Sequence, residues 1–503
     1  MSLFRRKPLD QLLAERGDEE HGLKKTLTAV DLMALGIGAI IGAGIFATLG
    51  SATSGGSGMP PAGPGVTLSI LITAVACGFC ALCYAEFASL VPIAGSAYTY
   101  SYATLGELIA WIIGWDLILE YAVGNIAVAI SWAAYFRQLM MGLGLEIPAW
   151  MATDYRSAAA AARAAAEGGA GSLSPEATIA YQAHLSHPEV YGIPIVFNLL
   201  AVLIVGLITW LLVIGIKESA RFNNVIVILK VITLLFFISI GATYVKPDNW
   251  HPFFPGGLQG VWTGASLIFF AYIGFDAVST AAEECKNPGR DMPRGIIGSL
   301  VICTVLYIAA GIVLTGMIPY RQLAGAADPL AAALHFVQQD WAAGLLALGA
   351  VIAMTAVLLV FQLGQPRILM SMSRDGLLGP WFQKIHPRYR TPHVTTILTG
   401  VFVAFFSAIA NIDEIVQLTN IGTLFAFVLV CIGILVLRKR EPNRPRKFRV
   451  PFVPAVPLLG VGMCLFLMSG LPVTTWIRFI LWLIAGMVIY FLYGFRRSRL
   501  AGR

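Results

Sequence analysis

Long apolar stretches, separated by shorter polar ones, recur along the whole chain. Twelve of them are long enough to be transmembrane helices, since a helix of about 20 residues crosses a hydrocarbon core of ~30 Å. We number these predicted segments helix 1 to helix 12; they cover residues 30–50, 66–91, 105–136, 193–216, 224–245, 258–282, 295–318, 340–364, 393–410, 414–437, 452–470 and 475–495. The pattern therefore predicts an all-α polytopic membrane protein.

The composition agrees with this prediction. Hydrophobic residues make up 57% of the 503 positions and charged residues 12%, whereas an ordinary soluble chain carries about 25% charged residues. The first 25 residues are charged and contain no apolar core of a signal peptide, so no cleaved leader is predicted.

The net charge of +7 is distributed unevenly between the two sides of the predicted helices. With the N-terminus inside, 27 of the 34 Lys and Arg residues lie on the inner side, six lie on the outer side, and Lys230 is left within helix 5. This asymmetry follows the positive-inside rule and predicts that both termini are inside. The basic stretch 438–449 is therefore interpreted as a topology anchor in contact with anionic lipid, and not as a nucleic-acid site.

The polar segments complete the predicted organisation. Residues 1–28 and 496–503 are predicted to be cytoplasmic tails, and residues 137–192 an outer loop. Within that loop, the stretch "AAAAARAAAEGGAGS" predicts a short surface helix that ends at glycine. We expect it to carry no chemistry.

Three cysteines in helix 2, Cys77, Cys80 and Cys83, have a spacing that could suggest a metal site. They lie inside an apolar segment with no histidine nearby, so they are interpreted as small packing residues. No metal site and no structural disulfide are predicted.

Glycines interrupt two of the predicted helices. Helix 1 contains "GIGAIIGAGIF" at residues 36–46, and helix 6 contains "FFAYIGFD" at residues 269–276. Because the two lie five helices apart, the halves 29–245 and 258–437 would have opposite orientations in the membrane, with 452–495 as two added helices. Paired interruptions in inverted halves point to the central site of a transporter.

The glycines of helix 1 admit three interpretations. A dinucleotide-binding loop is dismissed, because no strand precedes the glycines. Close helix packing at Gly38 and Gly42 stays open. The third is an unwound segment near the middle of the membrane.

In an unwound helix 1, the backbone N–H groups of residues 42–45 would favour a carboxylate. Freed carbonyl groups around Ile40, and in helix 6 around Phe270, Ala271 and Ile273, would suit an ammonium group. A carboxylate site beside an ammonium site matches the two charged groups of an α-amino acid.

Three stretches carry a resemblance to a known family. "GIGAIIGAGIF" together with "STAAEECKNPGRDMPRGI" (279–296) resembles the amino acid–polyamine–organocation transporter superfamily. "QPRILMSMSRDGLLGPWFQKIHPRYRTPH" (365–393) is similar to the cationic amino acid transporter family within it. The resemblance implies a five-plus-five inverted-repeat core with two C-terminal helices, which moves amino acids by alternating access.

The resemblance also implies roles for individual residues. The backbone of Gly42, Ala43, Gly44 and Ile45 would bind the substrate carboxylate. The carbonyl groups of Ile40, Phe270, Ala271 and Ile273 would bind its amine, and the Phe270 ring would help to gate the site. Related sequences often have Thr or Ser at the position of Ala43, so this chain lacks a hydroxyl contact there. No cofactor is implied.

Isolated charges within apolar helices are functional candidates, because each costs a few kcal/mol to insert. Asp116 and Glu120 lie on one face of helix 3. Asp116 is expected to make structural hydrogen bonds to neighbouring helices, whereas an acid that matches Glu120 occurs in the cationic transporter family. Asp276 follows the interruption of helix 6, where it could meet the substrate side chain or cap the helix. Glu86 and Asp31 are expected near the membrane boundary.

Lys230 has a more specific interpretation than the other isolated charges. In sodium-coupled relatives of the superfamily, Na⁺ lies between carbonyl groups of helix 1 and helix 8. In some proton-coupled relatives, a lysine of helix 5 places its ammonium group there instead. The matching carbonyl groups here would be those of Gly38 and Ile41. Lys230 is therefore predicted to couple transport to protons, the alternative being a lysine whose amine reaches towards water.

The sequence thus predicts an importer of cationic or small neutral L-amino acids in the bacterial inner membrane, with the proton as coupling ion. Membrane lipids are expected partners, a small single-span partner subunit stays undetermined, and nucleic acid is not expected. An amino acid exchanger is the alternative. A non-transporting amino acid sensor is weaker, and an enzyme is not predicted because no catalytic constellation is found.

Overall fold

The structure of the chain, a computed structural model, describes residues 5–6, 26–56, 59–90, 96–169, 175–190, 193–215 and 220–500. Most of the predicted tail 1–28 and the last three residues of the tail 496–503 therefore lie outside the described residues. The described chain is almost entirely helical. Its one pair of strands, β1 (Glu189–Val190) and β2 (Ile193–Pro194), is antiparallel, has two residues in each strand and lies before helix 4.

Each predicted segment corresponds to a helix or to a set of helical pieces. Helices 1, 3, 6 and 12 consist of several pieces: Ala29–Ile40, Gly44–Thr48 and Leu49–Ser54 for helix 1; Glu107–Ile118, Leu119–Val123 and Gly124–Gly142 for helix 3; Gly257–Ile268, Phe269–Tyr272 and Asp276–Glu284 for helix 6; Val473–Ile489 and Tyr490–Gly494 for helix 12. The continuous ones are Val66–Leu90 (helix 2), Leu199–Ile214 (4), Ala220–Gly241 (5), Pro288–Met317 (7), Asp340–Arg374 (8), His393–Ile409 (9), Ile412–Arg440 (10) and Ala455–Ser469 (11).

Among the described residues, nine of these helices are long and apolar enough to cross a membrane. The other three apolar helices, 4, 9 and 11, have 16, 17 and 15 residues. At 1.5 Å per residue they measure about 23–26 Å, somewhat less than the ~30 Å hydrocarbon core. The chain is therefore a polytopic α-helical membrane protein, as its apolar pattern predicted.

Several predicted boundaries were wrong. Helix 3 continues to Gly142 and helix 8 to Arg374, since polar residues at a membrane boundary extend a helix without interrupting its hydrogen bonds. Helix 7 begins at Pro288 and not near residue 295. Proline is well tolerated in the first turn of a helix, where its missing N–H group has no intrahelical partner.

Three helices lie in segments that were predicted as polar connections: Ser96–Thr104, Pro175–Ser186 and Pro329–Phe336. The alanine-rich helix of the loop 137–192 is confirmed as Tyr155–Gly168, and it begins with the Asp154 side chain accepting a hydrogen bond from the Ser157 N–H group at 2.9 Å. It packs with Pro175–Ser186 around a small apolar cluster that contains Ala158 and Ala183. This loop is a folded layer and not an irregular connection.

The core lies around helices 1, 3 and 6, which are the most enclosed of the nine long apolar helices among the described residues. Helix 1 packs against helices 5, 7 and 8, and its Gly44–Thr48 piece packs against the Phe269–Tyr272 piece of helix 6. Two interrupted helices thus lie side by side at the centre of the bundle.

Candidate substrate and coupling site

Helix 1 is interrupted after Ile40. The backbone of Ile41 is extended, with φ −75° and ψ 98°, and its N–H group donates the last hydrogen bond of the first helical piece to the Ile37 carbonyl at 2.9 Å. The chain then resumes as a π-helical turn, Gly44–Thr48. One helix therefore ends and another begins inside the protein, which leaves backbone polar groups available at both ends.

Helix 6 is interrupted next to helix 1. Its 3₁₀ turn Phe269–Tyr272 ends at Ile273, with ψ 134°, and Gly274 follows at φ +114°. A Cβ atom on Gly274 would lie 2.9 Å from the carbonyl carbon of Ala39. Glycine is required here for both reasons, since the backbone conformation disfavours other residues and helix 1 leaves no room.

The two interruptions meet at Gly44. A Cβ atom on Gly44 would lie 2.2 Å from the Cα atom of Ala271, so the backbones of helices 1 and 6 are in direct contact. The residues predicted to cradle an amino acid are all buried in this region: Ile40, Gly42, Ala43, Gly44, Ile45, Phe270, Ala271 and Ile273. The structure brings them together, and their binding of substrate stays a prediction.

Two tyrosines not singled out from the sequence bond to the backbone of helix 1. The Tyr307 hydroxyl of helix 7 donates to the Ile40 carbonyl at 3.0 Å, and the Tyr135 hydroxyl of helix 3 donates to the Phe46 carbonyl at 2.6 Å. A carbonyl oxygen accepts two hydrogen bonds, so Ile40 keeps one acceptor position for an amine. In the sequence, the only indication of these two hydrogen bonds is that each tyrosine places a polar group within an apolar helix.

Lys230 lies in the middle of helix 5 with 1% of its surface exposed. Its ammonium Nζ donates to the Gly38 carbonyl at 2.6 Å and to the Ile41 carbonyl at 3.0 Å. These are the two carbonyl groups named from the sequence, one in the last turn of the first helical piece and one at the interruption. The burial excludes the alternative of an amine that reaches water.

Glu120 and Asp276 form a buried acidic pair beside the interruption of helix 6. Each is at most 1% exposed, and their carboxyl groups are close enough to interact electrostatically. Both oxygens of Asp276, and Oε2 of Glu120, have no hydrogen-bond partner among the described residues. Asp276 does not cap the following 3₁₀ helix, so the capping alternative was wrong.

One other expectation for an acidic residue needs correction. Asp116 is buried, but neither of its oxygens bonds to a neighbouring helix within the described chain. Glu86, four residues before the end of helix 2, is fully buried and pairs with Arg438 and Arg446; its position at the membrane boundary stays a prediction. Asp31 completes a capping box with Thr28 at the start of helix 1 and is partly exposed.

The cysteines of helix 2 pack against other helices. Cys80 Sγ lies 3.4 Å from Cys464 Sγ and 3.9 Å from Cys431 Sγ. All seven cysteines of the chain are free and buried, in agreement with their interpretation as small packing residues.

Long apolar helices that surround two interrupted ones form the architecture of an integral membrane transporter. The chain belongs to the amino acid permease family, whose sequence profile matches residues 27–493. The resemblance to the amino acid–polyamine–organocation superfamily is thereby confirmed.

Curated relatives extend over the same length. The chain is 47% identical over 499 residues to the branched-chain amino acid permease BcaP of Bacillus subtilis (strain 168), and 46% identical over 499 residues to the methylthioribose transporter of the same organism, with 99% of each chain covered. It is 37% identical over 448 residues to the vacuolar cationic amino acid transporter 4 of Arabidopsis thaliana, which covers 88% of this chain and 68% of the relative. The names of these relatives describe transporters and not enzymes.

Proposed function

We propose that this protein is a secondary active transporter that imports L-amino acids by alternating access and is driven by the proton gradient. The observation that carries the proposal is the contact of the Lys230 ammonium with the Gly38 and Ile41 carbonyl groups at the interruption of helix 1. Membership of the amino acid permease family supports the class of substrate.

The proposed architecture has twelve transmembrane helices with both termini in the cytoplasm of a bacterial cell. Residues 29–245 and 258–437 form the two inverted repeats, and residues 452–495 form two further helices. The distribution of Lys and Arg supports this orientation. Helices 4, 9 and 11 would cross with little tilt, or with local thinning of the bilayer, because they are short.

The substrate would lie where the two interruptions meet. Its carboxylate would accept hydrogen bonds from the backbone N–H groups of residues 42–45, at the positive end of the second piece of helix 1. Its ammonium group would bind the carbonyl groups of Ile40, Phe270, Ala271 and Ile273, with Phe270 as part of the gate. Ala43 can contribute through its backbone alone.

The side chain of the substrate would point towards Glu120 and Asp276. A buried acid without a cationic partner favours a positively charged side chain, or a proton when the substrate is neutral. The relatives named for branched-chain and for cationic amino acids support a pocket that accepts both classes.

Coupling would follow from the charge of Lys230. As an ammonium group it holds the Gly38 and Ile41 carbonyl groups and so fixes the first piece of helix 1 to helix 5. When the proton leaves, the neutral amine loses its charge-assisted hydrogen bonds. The first piece of helix 1 is then free to move away and open the site to the other side, and reprotonation restores the contact.

The test is Lys230→Met in reconstituted vesicles. We expect an imposed pH gradient, acidic outside, to drive amino acid accumulation by the native protein and not by the variant, because methionine has a similar volume and no proton to exchange. Lys246→Met, at an exposed position, is the matched control and should accumulate normally. Retained exchange of labelled for unlabelled amino acid in Lys230→Met shows that the variant is folded.

Accumulation by Lys230→Met that equals that of the native protein would overturn the proton-coupling role. If the native protein exchanges amino acids with no response to the pH gradient, it is an exchanger. If it binds amino acids but moves none, it is a sensor.

A further inference from the structure

A cavity of ≈ 810 Å³ opens at the N-terminal end of helix 7, on the side of the bundle that carries the basic loops. The first piece of helix 1 contributes Met33 to its wall, and the connection between helices 10 and 11 contributes Lys447 and Phe448. Helix 7 contributes Arg290 and Arg294. Three separate parts of the chain therefore meet around one space that the transport site does not use.

The cavity is positively charged. Arg290 and Arg294 are four residues apart, so they lie on one face of helix 7. Lys447 lies directly over Gly289, since a Cβ atom there would be 2.3 Å from the Lys447 Cδ atom. Arg290 pairs with Asp291 at 2.9 Å, whereas Arg294 and Lys447 have no acidic partner in the described part of the chain. Two basic groups are thus left for a negatively charged ligand.

Apart from Asn287, the remaining lining is apolar. Met33, Pro293, Ile297 and Phe448 form a hydrophobic wall that begins where helix 7 changes from charged residues to its apolar sequence. A free phosphate ion would use the basic groups and leave this wall in contact with water. A phospholipid would use both, because its phosphate would meet the basic groups and its acyl chain would cover the wall.

We propose that this cavity binds the headgroup of an anionic phospholipid, with the phosphate between Arg294 and Lys447. The proposal rests on the orientation given under the proposed function, which places the cavity at the cytoplasmic leaflet. The bound lipid contacts Met33, so it also supports the first piece of helix 1, the piece that Lys230 holds from the other side.

The experiment is native mass spectrometry of the purified full chain, titrated with phosphatidylglycerol and with phosphatidylcholine of the same acyl chains. The native protein should bind phosphatidylglycerol more tightly. The double variant Arg294→Gln/Lys447→Gln should bind it ~30-fold more weakly, since each basic group near a lipid phosphate contributes a factor of about five. Binding of phosphatidylcholine should change little.

Two controls identify the cause of this loss. The charge-preserving variant Arg294→Lys/Lys447→Arg should retain phosphatidylglycerol binding. Lys384→Gln/Arg390→Gln, which removes two exposed basic groups elsewhere, should also retain it.

Unchanged binding of phosphatidylglycerol by Arg294→Gln/Lys447→Gln would overturn the proposal. Complete displacement of phosphatidylglycerol by millimolar inorganic phosphate would overturn it too, and would assign the cavity to a free anion. Lipid binding is measured without transport. The result of this experiment can therefore be interpreted even if the transport proposal fails.

Discussion

Lys230, Glu120 and Asp276 are each at most 1% exposed near the two helix interruptions, but their partners differ. The lysine bonds to two backbone carbonyl groups. The two acids interact with each other electrostatically, and three of their oxygens have no hydrogen-bond partner among the described residues. A buried ionisable side chain in an apolar helix is usually paired with another group or has a function. The lysine therefore has partners within the fold, whereas the two acids are candidates for binding a cationic ligand or a proton.

The acid pair gives a prediction about substrate selectivity. Glu120→Gln should reduce uptake of lysine and arginine by about tenfold or more relative to alanine or leucine, because a hydrogen bond to a buried charged group contributes ~1.5–3 kcal/mol. Competition of each amino acid against one labelled substrate measures this ratio.

Asp116→Asn is the matched control for that experiment, since Asp116 lies one turn before Glu120 and is equally buried. It should leave the ratio of cationic to neutral uptake unchanged. Equal losses for cationic and neutral substrates in Glu120→Gln would show that the acid supports the fold and does not meet the substrate side chain.

The interruptions of helices 1 and 6 form one structural element, because each fits against the backbone of the other. Gly44 lies against Ala271, and Gly274 lies against Ala39. Neither helix could be straightened without pushing the other away. The two interruptions therefore stabilise each other.

Gly44→Ala tests this contact. The added methyl group would lie 2.2 Å from the Ala271 Cα atom, and a forced contact with backbone costs about 1–3 kcal/mol. We expect a lower thermal unfolding temperature in detergent and a strong loss of uptake.

Gly78→Ala is the comparison for Gly44→Ala, because a Cβ atom at Gly78 of helix 2 meets nothing within 4 Å. Alanine is favoured over glycine in a helix interior by about 1 kcal/mol, so this variant should be as stable as the native protein or slightly more so. Equal unfolding temperatures for the two variants would contradict the close approach.

Within single helices, glycine placement indicated where helices 1 and 6 could break, although close helix packing was an open alternative for helix 1. It did not predict what replaces the α-helix: a π-helical turn at Gly44–Thr48 and a 3₁₀ helix at Asp276–Glu284. The π-helical turn of helix 1 accepts a hydrogen bond from Tyr135 of helix 3 at the Phe46 carbonyl, and no pattern within one segment predicts such a contact between helices.

Across the whole molecule, one buried ion cluster joins distant parts of the chain. Glu86 in helix 2 accepts two hydrogen bonds from Arg438 at the end of helix 10, at 2.8 and 2.7 Å. It also lies 3.1 Å from Arg446 and accepts from the Val450 N–H group at 2.7 Å. The basic stretch 438–449 was interpreted as a topology anchor in contact with anionic lipid. It also fixes the connection between helices 10 and 11 to helix 2.

Glu86→Gln should destabilise the whole bundle. Loss of one partner from a buried ion pair costs about 3–5 kcal/mol, because the remaining charges stay buried without compensation. The unfolding temperature in detergent measures the effect.

Glu441→Gln is the matched control for Glu86→Gln, since Glu441 pairs with Arg444 at a partly exposed position and such pairs contribute ~1 kcal/mol or less. If the two variants unfold at the same temperature, the Glu86 cluster is not a structural anchor.

The number of apolar helices and their order could be predicted from the sequence, because the hydropathy pattern is local. The approach of Lys230 to Gly38 and Ile41 could be named only with the help of the family resemblance, since a lysine in an apolar segment does not indicate its partner. The Glu86 cluster, the hydrogen bonds of Tyr135 and Tyr307 to helix 1, and the packing of the two helices in the loop before helix 4 depend on residues far apart in the chain. For that reason they were missed.

The position of Lys230 also has a consequence for kinetics. A coupling ion in solution must first bind to the protein. Its concentration in the medium and its dissociation constant therefore enter the rate of transport. The Lys230 amine is attached to helix 5, and its effective concentration at the two carbonyl groups is fixed by the fold. Under the proposed mechanism the sodium concentration therefore has no place in the rate law, and the ionic driving force is set by the proton activity on each side together with the membrane potential.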